Sequence, residues 1–134
     1  MKILGIGVDM IKNRRIKNSI KKKKFLKRIY SKKEIMISKQ ISNKSNYYAK
    51  RFAAKESFAK ALGYGFRKNL NFKDIEVLND KYGKPYFLKS KKIIELVYKK
   101  FKTRKFNIFL SISDEEDYSI AFTILQKKLW LIRR

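Results

Sequence analysis

Residues 3–11, ILGIGVDMI, form an apolar run with a single charge, Asp9. Read as a strand, the run places Ile6, Val8 and Met10 on one face and Ile3, Gly5, Gly7, Asp9 and Ile11 on the other. Two glycines on one strand face leave room for another element to approach closely. In residues 13–29, Ile16, Ile20, Phe25 and Ile29 give a loose helical stripe, interrupted near Lys21–Lys24. Ser31 and Glu34 have capping-box spacing and open a short helix. A polar linker at 42–46 precedes a helix from about Asn46 to Leu62, rich in strong helix formers. Its apolar stripe is Ala49, Phe52, Ala53, Ala59 and Gly63, and Gly63 and Gly65 suit a helix stop. Residues 64–71 read as a loop, 74–78 as a short strand, and 80–85 as a turn holding Gly83 and the only proline. Ser90 can cap a helix to about Phe101. Residues 106–113 and 118–125 alternate as a hairpin around an acidic turn. The order predicts an α+β fold: one compact domain with helices packed on a mainly antiparallel sheet. The domain spans residues 1–126, and 127–134 form a basic tail whose Trp130 packs on the domain or on a neighbour.

Two carboxylates break these apolar patterns. Glu56 falls inside the helix stripe, where a charge is costly unless paired or bound to a cation. Lys60 stands one turn further along the same side, so a solvated Glu56–Lys60 pair is one reading. Asp9 can be an ordinary turn residue at a strand end. The alternative takes them together: a carboxylate from a strand and one from a helix, with phosphate as third party, is the usual way to hold magnesium.

Composition narrows the chemistry. The 134 residues contain no cysteine and no histidine. Thiolate nucleophiles, disulfides, Ser–His catalysis and the common zinc ligands are therefore excluded. Carboxylates, lysines and hydroxyls remain, a set suited to a hard cation. Hydrophobic residues make up 44% of the chain, which supports a globular protein. There is no run of membrane-spanning length and no signal-peptide layout, so a cytoplasmic protein is expected. Lys and Arg number 36 against 11 acidic residues, a formal net charge of +25. Part of that excess follows the amino-acid usage of an AT-rich genome, and the rest helps to steer an acidic partner.

Four segments, GIGVDMI at 5–11, RFAAKESFAKALGYG at 51–65, DIEVLNDKYGKPY at 74–86 and SIS with DYSIAF at 111–122, resemble the holo-acyl-carrier-protein synthases in order and spacing. These are the small bacterial phosphopantetheinyl transferases, and the likeness runs from about Lys2 to Leu125. The resemblance implies their fold and their reaction. The phosphopantetheine arm of coenzyme A moves to a serine of apo-acyl carrier protein, and adenosine 3′,5′-bisphosphate leaves. By resemblance, Asp9 and Glu56 hold Mg2+, and Lys60 neutralises phosphate charge. Glu56, or water on the metal, takes the serine proton. Arg51, Lys84, Pro85 and Ser113 contact coenzyme A, and Lys60 shares in that contact. Arg15, Lys22 and Arg28 form the face for the acidic carrier protein. The family's homotrimer, with active sites between subunits, is implied too.

One position departs from the pattern. Relatives carry histidine directly after the S-x-S segment, where this chain has Asp114. An ionised carboxylate cannot donate to a phosphate, so Asp114 is expected either to face solvent or to bind a cation. Two other function classes fit parts of the sequence. A coenzyme A-binding relative without transfer would explain the missing histidine. A basic nucleic-acid-binding module would use the charge, but no RNA-binding signature is present and the aromatic residues mostly follow core alternation.

Overall fold

The computed structural model describes residues 2–66 and 70–129. Residues 67–69 of the expected loop lie outside that range, as does Trp130 with the packing expected of it. The described elements are β1 (Lys2–Lys12), α1 (Asn13–Ser19), α2 (Lys23–Ile29), α3 (Lys32–Ser38), α4 (Lys44–Leu62), β2 (Val77–Asn79), β3 (Pro85–Phe87), α5 (Lys91–Phe101), β4 (Phe106–Asp114) and β5 (Tyr118–Lys127). They form the expected single α+β domain. Strands β1, β5 and β4 make an antiparallel sheet in that spatial order, and β2 and β3 make a separate hairpin.

The sheet register fixes which side chains face α4. Gly7, Asp9 and Ile11 of β1 stand opposite Thr123, Ala121 and Ser119 of β5. Those residues in turn stand opposite Leu110, Ile112 and Asp114 of β4. Helix α4 packs on this inward face, burying Ala49, Ala53, Ala54, Phe58, Ala59 and Leu62. A buried Phe58 alone removes enough apolar surface for roughly 2 kcal/mol. The two strand glycines make the approach possible. A Cβ on Gly5 would fall 1.8 Å from the Ala61 carbonyl oxygen, and one on Gly7 would fall 1.9 Å from that of Ser57. The Ser57 and Thr123 hydroxyls, 2.6 Å apart, complete the contact.

The structure corrects several boundaries. A register shift between Ile3 and Gly5 interrupts the alternation, so Ile3 is exposed and Leu4 packs against the core. Residues 13–29 are two helices, broken at 20–22 among the lysines. Helix α4 starts at Lys44, inside the expected linker, because the Asn43 side chain caps it through the Asn46 amide. The expected strand at 74–78 is a 3-10 helix at Phe72–Asp74 followed by β2. The expected turn leads directly into β3, which begins at Pro85. Ser31 and Glu34 make the capping box in both directions.

Candidate active site in two halves

The first half lies where β1 meets α4. Tight packing at Gly5 and Gly7 brings Asp9 towards Glu56 and Lys60, which face β1 one turn apart. Lys60 pairs with Asp9, Nζ to Oδ1 3.2 Å, and also donates to the Val8 carbonyl at 3.0 Å. Its partner is therefore the strand carboxylate, in place of the helical Glu56 pair that spacing alone allowed. Glu56 makes no ion pair or hydrogen bond among the described residues. Burial pushes the Asp9 carboxyl above its ordinary range despite the Lys60 hydrogen bond and charge. Burial also raises Glu56, and the Asp9 charge raises it further, against Lys60 and Arg15. Two carboxylates thus share a half-buried corner in which only part of their charge is compensated.

The second half lies on the other side of α4. Arg51 is buried, at 4% exposure. Its guanidinium stacks 3.8 Å above the Tyr47 ring and donates to Asn79 Oδ1 at 2.6 Å. The Arg51 Nε has no hydrogen-bond partner, and burial pulls the guanidinium below its ordinary value. Arg51, Asn79, Gly83, Pro85, Asn46 and Asp114 line one cavity of about 600 Å3. The turn that supplies Gly83 and Pro85 is held by Asp80, whose carboxylate accepts from the Tyr82 and Lys84 amides. The Lys84 side chain is exposed on that turn.

Asp114 is exposed, and its Oδ2 accepts from the Asn46 side-chain amide at 3.0 Å. It stands at the wall of the same cavity, and the side-chain partner it has there is the Asn46 amide. Ser113, opposite Ile120, belongs to the outward face of the sheet and is not among the cavity's lining residues. Arg15, Lys22 and Arg28 are all exposed. Lys22 and Arg28 line a groove of about 510 Å3 with Lys24 and Phe25.

The halves are separated by the architecture. Asp9 and Asp114 project to the same side of the sheet but from its two edge strands, with β5 between. Two strand spacings put them about 10 Å apart or more. Glu56 and Arg51 are five residues apart on one helix, about 140° around its axis.

A sequence model of the 4'-phosphopantetheinyl transferase superfamily matches residues 5–123. The chain belongs to that superfamily. Among curated members, it is 60% identical over 128 residues to the holo-[acyl-carrier-protein] synthase of Pelagibacter ubique, covering 96% of this chain and 100% of the relative. Among solved structures, the holo-[acyl-carrier-protein] synthase of Neisseria meningitidis superposes with TM-score 0.85 at 37% identity, covering 94% of this chain and 100% of that one. The Bacillus anthracis synthase, crystallised in complex with CoA (3′,5′-ADP), has TM-score 0.78 at 34% identity, covering 94% and 98%.

Within this superfamily member, two cavity residues escaped the sequence reading. Asn79 ties Arg51 to the turn, since its Nδ2 also donates to the Gly83 carbonyl at 2.8 Å. Tyr47 supplies the ring under Arg51. Asn79 stood inside a recognised segment; no periodicity or charge marked Tyr47.

Proposed function

We propose that this chain transfers the 4′-phosphopantetheine group of coenzyme A to a serine of apo-acyl carrier protein. The observation that carries the reading is the Asp9–Glu56 pair, with Lys60 beside it, on a member of this superfamily. The donor set fits magnesium. Both candidate ligands are hard carboxylate oxygens whose charge Lys60 only partly compensates. Two carboxylates leave room for substrate phosphates, as magnesium sites usually do. Asp9 and Glu56 would hold the ion, and when bound it would neutralise charge developing on the pyrophosphate. Lys60, already 54% exposed along its side chain, is free to swing from Asp9 onto a phosphate oxygen. Among this chain's own groups, the Glu56 carboxylate is the one placed to accept the serine proton as the serine oxygen attacks phosphorus. The bond to the bisphosphate then breaks, and adenosine 3′,5′-bisphosphate departs with the electron pair. Arg51, Pro85 and Lys84 hold the nucleotide end, and Arg15, Lys22 and Arg28 receive the acidic carrier protein.

Two features support a homotrimer with sites between copies. Ile6, Val8, Met10, Phe109, Ile120 and Phe122 form a contiguous exposed apolar patch on the outward sheet face. The two half-sites, on opposite sides of α4, can meet when a second copy supplies one of them. We place the reaction in the cytoplasm, in service of fatty-acid synthesis. No described helix is long and apolar enough to cross a membrane. The test is to incubate the chain with coenzyme A, magnesium and apo-acyl carrier protein and weigh the carrier. A gain of one phosphopantetheinyl group is expected. Coenzyme A binding without any gain would reduce the protein to a binding relative, and nucleic-acid binding alone would remove the reading.

A further inference from the structure

The reaction leaves one charged pair unused. Lys55, directly before Glu56, and Glu34 of α3 are both fully buried. Lys55 Nζ donates to Glu34 Oε1 at 2.8 Å, to the Phe72 carbonyl at 3.1 Å and to the Ile75 carbonyl at 2.6 Å. Its three protons thus have three acceptors. Glu34 Oε1 also accepts from the Ser31 amide at 2.8 Å, and Oε2 accepts from the Val77 amide at 2.9 Å. The capping box and the ion pair therefore share one carboxylate.

Such a pair is weak evidence for stability, because apolar replacements of buried ion pairs are often neutral or better. The backbone it grips already buries Ile75 and Val77. Apolar burial can hold residues 72–77 near α4, but it is non-directional. The hydrogen bonds add direction: two carbonyls and one amide are tied to fixed points on α3 and α4. Two residues after Val77 comes Asn79, which accepts from Arg51 and donates to the Gly83 carbonyl. One continuous path thus runs from Lys55 and Glu34 through β2 to Arg51 and the turn bearing Lys84 and Pro85.

We propose that Lys55 and Glu34 are positioning residues for the coenzyme cavity. Their buried pair sets the register of residues 72–79 along α4, and so the placement of Asn79, Arg51 and the 80–85 turn around the ligand. The inference rests on the cavity being the coenzyme half of the site, as proposed above. Neither side chain lines the cavity, so each acts through Asn79.

The test is the double variant Lys55→Met with Glu34→Gln, which removes both charges and leaves no unpaired buried ion. Calorimetry with coenzyme A and hydrogen exchange at residues 77–79 are measured on the full chain beside wild type. The double variant is expected to fold, to exchange faster at 77–79 and to bind coenzyme A about tenfold more weakly. Its KM for coenzyme A should rise by a similar factor while kcat at saturation changes about threefold or less, since a displaced positioning group acts through ligand geometry. A purely structural role would lower the Tm and leave the dissociation constant of the folded protein unchanged, and that result would overturn the proposal. If the double variant does not fold, Lys55→Met with Glu34→Met decides, since apolar replacement of a whole buried pair is often tolerated. It frees the Phe72 and Ile75 carbonyls and the Val77 amide, so coenzyme A binding should weaken. Unaltered coenzyme A binding by this folded variant with faster exchange at Val77 would also overturn the proposal. Wild type that fails to bind coenzyme A would instead refute the functional reading itself.

Discussion

The two halves of the site carry opposite electrostatic deficits. On the β1 side of α4, two carboxylates are crowded together, raised by burial and only partly answered by Lys60. On the other side, one guanidinium is buried on a tyrosine ring, lowered by burial, with an unpaired Nε and no ion pair among the described residues. The first corner favours an added cation and the second an added anion. A magnesium complex of a phosphorylated coenzyme supplies both. The construction differs too. The carboxylate corner is made by two regular elements pressed together at glycines, whereas the guanidinium cavity depends on a turn, a ring and one asparagine.

The largest effects should come from the carboxylate corner. Asp9→Ala and Glu56→Ala should each lower transfer at least about a thousandfold, as removal of an essential electrostatic group does, measured by carrier-protein mass. The same corner should be costly to stability. Folding raises the Glu56 pKa, so its contribution is most favourable below the unfolded carboxylate range and is lost as pH rises through the folded value. Glu56→Gln should therefore raise the Tm at neutral pH while remaining inactive, and added magnesium should raise the Tm of wild type but not of this variant. A Glu56→Gln protein that melts earlier would contradict the strained-corner description.

Arg51→Met sharpens the contrast from the other side. Losing a buried charge-assisted donor should raise the coenzyme A KM about tenfold to a hundredfold, with a smaller change in kcat. Equal loss of kcat and kcat/KM would move Arg51 into the reacting corner and erase the division between halves. Smaller again is the docking face. Reversing charge at Arg15, Lys22 and Arg28 should raise the carrier-protein KM about tenfold at low salt and flatten its salt dependence, leaving coenzyme A binding intact. An unaltered KM would put the carrier elsewhere. Asp114→Ala should be nearly silent, within about twofold, because the lost contact is an exposed hydrogen bond to Asn46. A large loss at saturating magnesium would make Asp114 a working substitute for the histidine of relatives.

How much the chain disclosed follows the same division. Asp9 and Glu56 were readable because each interrupts a strongly periodic element. The glycines beside Asp9 announced the close approach that joins those elements. The acidic hairpin turn and the Ser31–Glu34 cap were equally local signals. Lys55 was not readable: a lysine within a helix-forming run looks solvated, and its burial is decided by carbonyls 17 and 20 residues away. Tyr47 under Arg51 is likewise a tertiary contact with no signature in spacing. The shift at Ile3 and the short β3 show the same limit, since bulges and brief strands are set by pairing partners rather than by their own composition.

We propose that the two half-sites on opposite sides of α4 meet between copies, and mixing two impaired variants tests this directly. Glu56→Ala lacks the carboxylate half, and Arg51→Ala lacks the guanidinium half. Each is purified, shown to have the same oligomeric mass as wild type, and assayed below the coenzyme A KM alone and after the two are unfolded and refolded together. Mixed assemblies should regain transfer, because some interfaces then pair an intact carboxylate corner from one copy with an intact cavity from another. Mixed assemblies of wild-type mass with no more activity than the separate variants would show that both halves serve the same site within one chain, and would contradict the account.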